Sequence, residues 1–282
     1  MSTSTVNEKF DEQVTVIRPR RGWIAINWRE LWDWRELLYF LMLRDIKVRY
    51  KQTVLGVAWA VLQPVLSMVV FTVIFGRLAK MPSEGFPYAI FVYTGLLPWT
   101  FFSTAVSTSS QSLVNQQALL TKIYLPRLFV PSAAIGSGIV DFAVSFAFFG
   151  CLMAYYGVPP GWGLLAVPGL VALTIIASLG VGLVLSAVTV TYRDFRYVTP
   201  FLIQVWMYLS PVIYPVSIVP SEWQWLLAIN PMVGIIDAFR AALLGRPWNL
   251  TALGISAFSS FAMLAYGLFY FRRTERRFAD VA

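Results

Sequence analysis

Charged stretches in this chain alternate with long runs carrying no charge, and those runs have the length of a bilayer crossing. None occurs between Lys51 and Arg77, about 25 residues and enough for a helix through a hydrocarbon core of ~30 Å. Gly56 and Pro64 lie within it, and Pro64 predicts a kink. Gly85 to Thr121 is uncharged too, but turns polar from Ser103 to Gln111, so the second span is expected to end near Ser110. From Leu128 to Tyr192 the one charge is Asp141, and the Gly/Pro-rich turn from Gly157 to Gly163 splits that run into an antiparallel pair, spans three and four. Tyr197 to Ser221 supplies span five and Pro247 to Phe271 span six.

Other stretches carry helical patterns unsuited to crossing. From Leu31 to Lys51, Asp33, Glu36, Arg44, Lys47 and Lys51 share one helical face, with Trp34, Leu38, Leu41, Met42 and Val48 opposite. Such a basic amphipathic helix ahead of a span lies in the headgroup plane. Between spans five and six, Ser221 and Gln224 form a capping-box start for a short helix. Asn230 as N-cap, Pro231 as first helical residue and Gly245 as stop then define a second. At roughly 9 and 14 residues both are too short to span, and both are too apolar for open water. The expected architecture is an all-α integral membrane protein with six transmembrane helices, an N-terminal amphipathic interfacial helix and two short re-entrant external helices. Residues 1–30 form a cytoplasmic segment, 31–51 the interfacial helix and 52–282 one membrane domain.

Composition sharpens this. The chain is 58% hydrophobic and 13% charged, with mean hydropathy +0.66, outside the range of ordinary soluble domains. All of its 22 Lys and Arg residues except Arg77, Lys80, Arg240 and Arg246 fall on one side of the spans. Basic loops stay cytoplasmic, so both termini are placed in the cytoplasm. The net charge of +8 sits beside apolar stretches, which points to anionic headgroups rather than nucleic acid. The absence of His excludes His-based acid/base chemistry and His metal sites. The single Cys151 permits no intrachain disulfide and reads as a small core residue. No Gly-Lys dipeptide occurs, so the chain carries no phosphate-binding P-loop.

The order of motifs then matches a family. Arg44–Lys51 (R-x-x-x-x-R-Y-K) leads into a span bearing Gly56, Trp59, Gln63 and Pro64; TGLLPW, Lys122 to Arg127 (K-x-x-x-P-R) and Tyr192-Arg193-Asp194 follow. Ser210 to Pro215 (SPVIYP) precedes Asn230-Pro231, Arg240 and Gly245. Over residues 30–275 this resembles the permease subunit of polysaccharide ATP-binding-cassette exporters, the Wzm-type O-antigen, teichoic-acid and capsule permeases of the type-two export superfamily. The resemblance implies a bacterial inner-membrane homodimer working with two copies of a separate ATPase, with ATP and Mg on that partner and no cofactor or enzymatic activity in this chain. The implied cargo is a lipid-linked glycan.

Candidate residues follow. Trp59 and Gln63, one turn apart, with Trp99, Gln204 and Tyr208, offer the aromatic and amide groups a sugar path profits from; enrichment of Trp and Tyr at membrane interfaces is the competing explanation. Asp141 is an intramembrane carboxylate, either functional or a packing residue between helices. By analogy Gln116, Leu119, Lys122, Tyr124 and Arg127 form the ATPase-coupling segment, against a plain connecting loop. Arg44, Lys47, Arg49 and Lys51 either receive the phosphates of a lipid-linked substrate or anchor the helix to headgroups. Glu222, Asp237 and Arg240 are assigned to an external gate, with Asp237 and Arg240 spaced to pair. Three other classes compete: a relative exporting lipids or drugs, a membrane-embedded glycosyl- or acyltransferase, which wants clustered acids or a His, and a secondary transporter, which wants inverted repeats.

Overall fold

The computed structural model describes residues 32–51, 56, 58–118 and 125–275. Its elements are helical: α1 (Arg35–Lys51), α2 (Ala58–Phe71, continued by a π-helical stretch Thr72–Leu78), α3 (Tyr88–Asn115), α4 (Phe129–Tyr156), α5 (Val167–Thr191), α6 (Phe195–Tyr208), α7 (Ser221–Ala228), α8 (Pro231–Leu244) and α9 (Leu250–Glu275). Five are long and apolar enough to cross a membrane: α2 with its continuation, α3, α4, α5 with the 3₁₀ turn before it, and α9.

α3 is the axis of the bundle. Ile90, Phe91, Val92 and Tyr93 are all fully buried, as a helix enclosed on every side must be apolar all round. Its Tyr93 ring stacks on Phe149 of α4 at 6.2 Å, and Phe102 meets Trp206 of α6 edge to face at 5.2 Å. α3 also runs past the expected end at Ser110 to Asn115. Hydroxyls satisfied within the helix make a serine-rich end helical: Ser110 donates to the Ser107 carbonyl and Ser112 to that of Ser109, both at 2.7 Å.

α5 and α9 pack backbone to backbone. A Cβ on Gly180 would lie 2.6 Å from the Met263 and Leu264 backbones, and one on Gly267 would lie 2.4 Å from the Gly180 carbonyl oxygen. Small residues at such a crossing permit the dispersion contacts that hold helices together in lipid.

The fifth predicted span is shorter than expected. α6 stops at Tyr208 rather than Ser221, 14 residues or ~21 Å. The chain then turns through Ser210–Tyr214, with the Ser210 carbonyl accepting from the Val212 amide at 2.7 Å. Pro211 and Pro215, which cannot donate to a helix ladder, bracket this break. α7 and α8 follow, bent 96° from one another. The α8 boundaries agree with expectation: Asn230 Oδ1 accepts from the Met232 amide at 3.0 Å, and Gly245 closes the helix at φ +70°. α7 takes Pro220 as its N-cap, one residue before the expected Ser221, and Gln224 donates to the Val219 carbonyl at 2.9 Å. Cys151 is exposed on α4 rather than in the core.

Two ends of the bundle are distinct. At one, Leu113, Leu125, Leu128, Leu183 and Phe271 form a separate apolar cluster, and Arg127 donates to the Glu275 carbonyl at 2.5 Å. At the other, Tyr88, Met153, Val167, Ile213 and Met232 join the main core. The four outlying cations Arg77, Lys80, Arg240 and Arg246 belong to segments at this second end.

Candidate functional site

Three places in the fold gather residues singled out from sequence. The first is a cavity of about 280 Å³ between the α1–α2 corner, α3 and α4. Trp59 and Gln63 line it together from α2, facing Thr100, Thr104 and Thr108 of α3 and Asp141 and Ser145 of α4. Hydroxyls, an amide and an indole on one wall offer hydrogen bonds and a ring face at once. Asp141 is neither solitary nor paired within its own helix. Its Oδ2 accepts from Arg49 and its Oδ1 from the Tyr50 hydroxyl, while Arg49 Nη2 reaches Ser137 Oγ at 3.3 Å.

Arg49 therefore departs from the expected headgroup cluster. α1 packs Leu37, Leu38, Leu41 and Met42 against Phe129 and Ala133 of α4, and Arg49 extends that inner side. Arg44, Lys47 and Lys51 instead line an outward groove with Phe40, Leu43 and Val48. Val48, assigned to the apolar inner face, is 70% exposed there. Arg44 is partly neutralised by Asp45 at 2.8 Å.

The other proposed path residues are elsewhere. Trp99 is buried in the core beside Phe102, away from the cavity wall. Gln204 and Tyr208 lie one turn apart on the exposed side of α6.

The second place is the second-end surface, where the expected Asp237–Arg240 pair does not form. Asp237 sits 3.5 Å from Arg246, which also holds Glu84 at 2.5 Å, and Glu84 accepts from Ser217 Oγ at 3.1 Å. Glu84 and Arg246 were missed because each is a single charge in a loop, 162 positions apart in a chain whose pairing signals are local. Arg240 is fully buried. Its guanidinium donates to the Val212 carbonyl at 2.9 Å and the Tyr214 carbonyl at 3.3 Å, and lies 3.8 Å from the Phe91 ring centre. Glu222 is exposed on α7 and joins neither arrangement. Asn230 does more than cap α8: its Oδ1 also accepts from Trp206 Nε1 at 3.0 Å, and its Nδ2 donates to Ser210 Oγ at 2.9 Å.

The third place is the α3–α4 connection. Gln116 follows directly on α3 and lines a pocket with Asp45 and Arg49. Arg127 ties the start of α4 to the end of α9. Leu119, Lys122 and Tyr124 lie outside the described residues.

The sequence profile of the ABC-2 type transporter family matches residues 36–244. The O-antigen export system permease protein RfbA of Myxococcus xanthus is 32% identical over 215 residues, 76% of this chain and 82% of that protein. A Klebsiella pneumoniae O-antigen export system permease protein RfbA is 25% identical over 87% of this chain and 95% of its own length. The polysialic acid transport protein KpsM of Escherichia coli is 26% identical over 83% and 92%.

Proposed function

The chain belongs to the ABC-2 type transporter family, and we propose that it is the transmembrane subunit of an ATP-driven exporter moving lipid-linked, O-antigen-like polysaccharide across the bacterial inner membrane. The observation that carries the cargo class is the extent of similarity to permeases named for O-antigen and polysialic acid, over 76–87% of this chain. The cavity's indole, amide and hydroxyl lining is chemistry suited to a sugar. Two copies of the chain, with Gln63 and Gln204 toward the path, work with two separate ATPase subunits that hold ATP and Mg. The Arg-rich end, carrying Arg127, Arg193, Arg196, Arg272 and Arg273, faces the cytoplasm by the positive-inside bias, with both termini there. The segment from Gln116 through Leu119, Lys122 and Tyr124 to Arg127 transmits ATPase closure as a rigid-body push on α3 and α4. The second-end assembly of α7 and α8, held by Asp237, Arg246 and Glu84, covers the external mouth.

The test is co-expression with the ATPase encoded beside its gene, followed by purification through a tag on this chain. A stable two-plus-two complex with vanadate-sensitive ATP hydrolysis is expected, and Lys122→Ala with Tyr124→Ala should lower that hydrolysis without releasing the ATPase. A chain that never retains an ATPase and itself modifies a lipid-linked sugar would overturn the reading.

A further inference from the structure

Arg49 and Asp141 are 92 positions apart, yet among the described residues they are the only charged ones on the wall of the Trp59–Gln63 cavity. Each contributes to a different part of the molecule. Arg49 is in the last turn of α1, just before the chain turns at Gly56 into α2. Asp141 is near the middle of α4. We propose that the Arg49–Asp141 ion pair is a latch that positions the α1–α2 corner against α4, sets the opening of this cavity, and parts and re-forms during transport. The proposal rests on the exporter reading for its purpose but not for its geometry.

α1 is held to α4 at two separated points. The first is apolar, Leu41 and Met42 on Phe129 and Ala133. The second lies eight to twelve residues farther along α4, about 12–18 Å at the helical rise, and is polar. Arg49 and Tyr50 between them occupy both carboxylate oxygens of Asp141. A rotation of α1 about the apolar point therefore moves the polar one most, and with it the mouth between α2 and α4.

Burial separates this pair from a fixed structural charge. The Arg49 and Asp141 side chains remain 29% and 25% exposed, so on parting water from the cavity rehydrates both. Arg240, at 0%, has no such exchange. A carboxylate–guanidinium pair at a wet cavity wall can alternate between partner and solvent at small net cost, whereas a fully buried one cannot. Among the described residues no second cation lines this wall to take the place of Arg49.

The experiment uses the full chain in complex with its ATPase. Arg49→Asp and Asp141→Arg, made singly, should each reduce export about tenfold, and the double swap should recover it to within about threefold, the signature of direct coupling. Independently, Arg49→Cys with Asp141→Cys in a Cys151→Ser background is bridged by a short reducible bifunctional thiol reagent. Bridging should lower export below that of the same variant unbridged, reduction should return it to the unbridged level, and the bridging rate should differ several-fold between nucleotide-free and vanadate-trapped complexes. Equal bridging rates in the two states, export undiminished by the bridge, or a swap no better than the worse single variant would each overturn the latch. Export by the unsubstituted chain is measured in parallel. If it exports no glycan, the cargo reading fails, while the bridging rates still report on the latch.

Discussion

Arg240 is the residue whose surroundings most constrain what can replace it. A guanidinium with no solvent exposure survives only because it meets two carbonyls of the Ser210–Tyr214 turn and an aromatic face. It does the job that a helix ladder would otherwise do, satisfying carbonyls where α6 has ended early. Arg240→Ala removes those donors and leaves the buried carbonyls without replacements, a loss on the order of 3 kcal/mol. Arg240→Lys keeps the charge but not the planar fork, and is expected to recover about half of that. Thermal unfolding of the detergent-purified chain measures both, and an Arg240→Ala protein melting with the parent would refute the clamp. The same residue marks a boundary in what sequence can tell. Its position after Asn230-Pro231 flagged it, but the i, i+3 spacing to Asp237 suggested a partner that the fold does not use.

Elements were legible wherever their signals are local. Asn230, Pro231 and Gly245 bound α8 because capping depends on neighbours within four residues. The Gly157–Gly163 turn divides α4 from α5 for the same reason. What was illegible depends on distant partners. The premature end of α6, the inward turn of Arg49 and the Glu84–Arg246 contact all depend on segments that meet only after folding. The serine run of α3 misled differently: its hydroxyls read as loop polarity, yet those of Ser110 and Ser112 bond within the helix and Ser109 packs against Gly182 of α5. Helix crossings are likewise hidden, since a glycine at an interface looks like one at a lipid face. Gly267→Ala places a methyl against the Gly180 carbonyl and should destabilise by about 1–3 kcal/mol through overpacking. Gly254→Ala on the same helix has nothing within 4 Å of its new methyl and should be neutral or slightly stabilising from helix propensity. Urea or thermal unfolding of the two variants side by side tests the contrast; equal behaviour would mean that α5 and α9 do not approach as closely as described.

At the scale of the whole molecule, the distribution of exposed side chains separates one surface from another. α9 exposes Ile255, Phe258 and Phe261, an apolar face that lipid tails cover without cost. α2 and α6 expose comparable hydrophobics, Leu66, Val69, Phe201 and Val205 among them, but also the amides of Gln63 and Gln204. An amide facing hydrocarbon lacks hydrogen-bond partners, which costs free energy unless water or protein supplies them. In the proposed dimer the α2 and α6 faces would therefore turn toward the second copy and a wet path, and the α9 face toward lipid. In a Cys151→Ser background, Gln63→Cys and Gln204→Cys in native membranes should react with a charged, water-soluble maleimide. Phe258→Cys and Phe261→Cys should stay largely unlabelled, because a thiol in hydrocarbon neither ionises nor meets the reagent. Addition of detergent should equalise all four. Strong labelling at 258 and 261 in intact membranes, with 63 and 204 protected, would reverse the assignment and put the path on the α9 side.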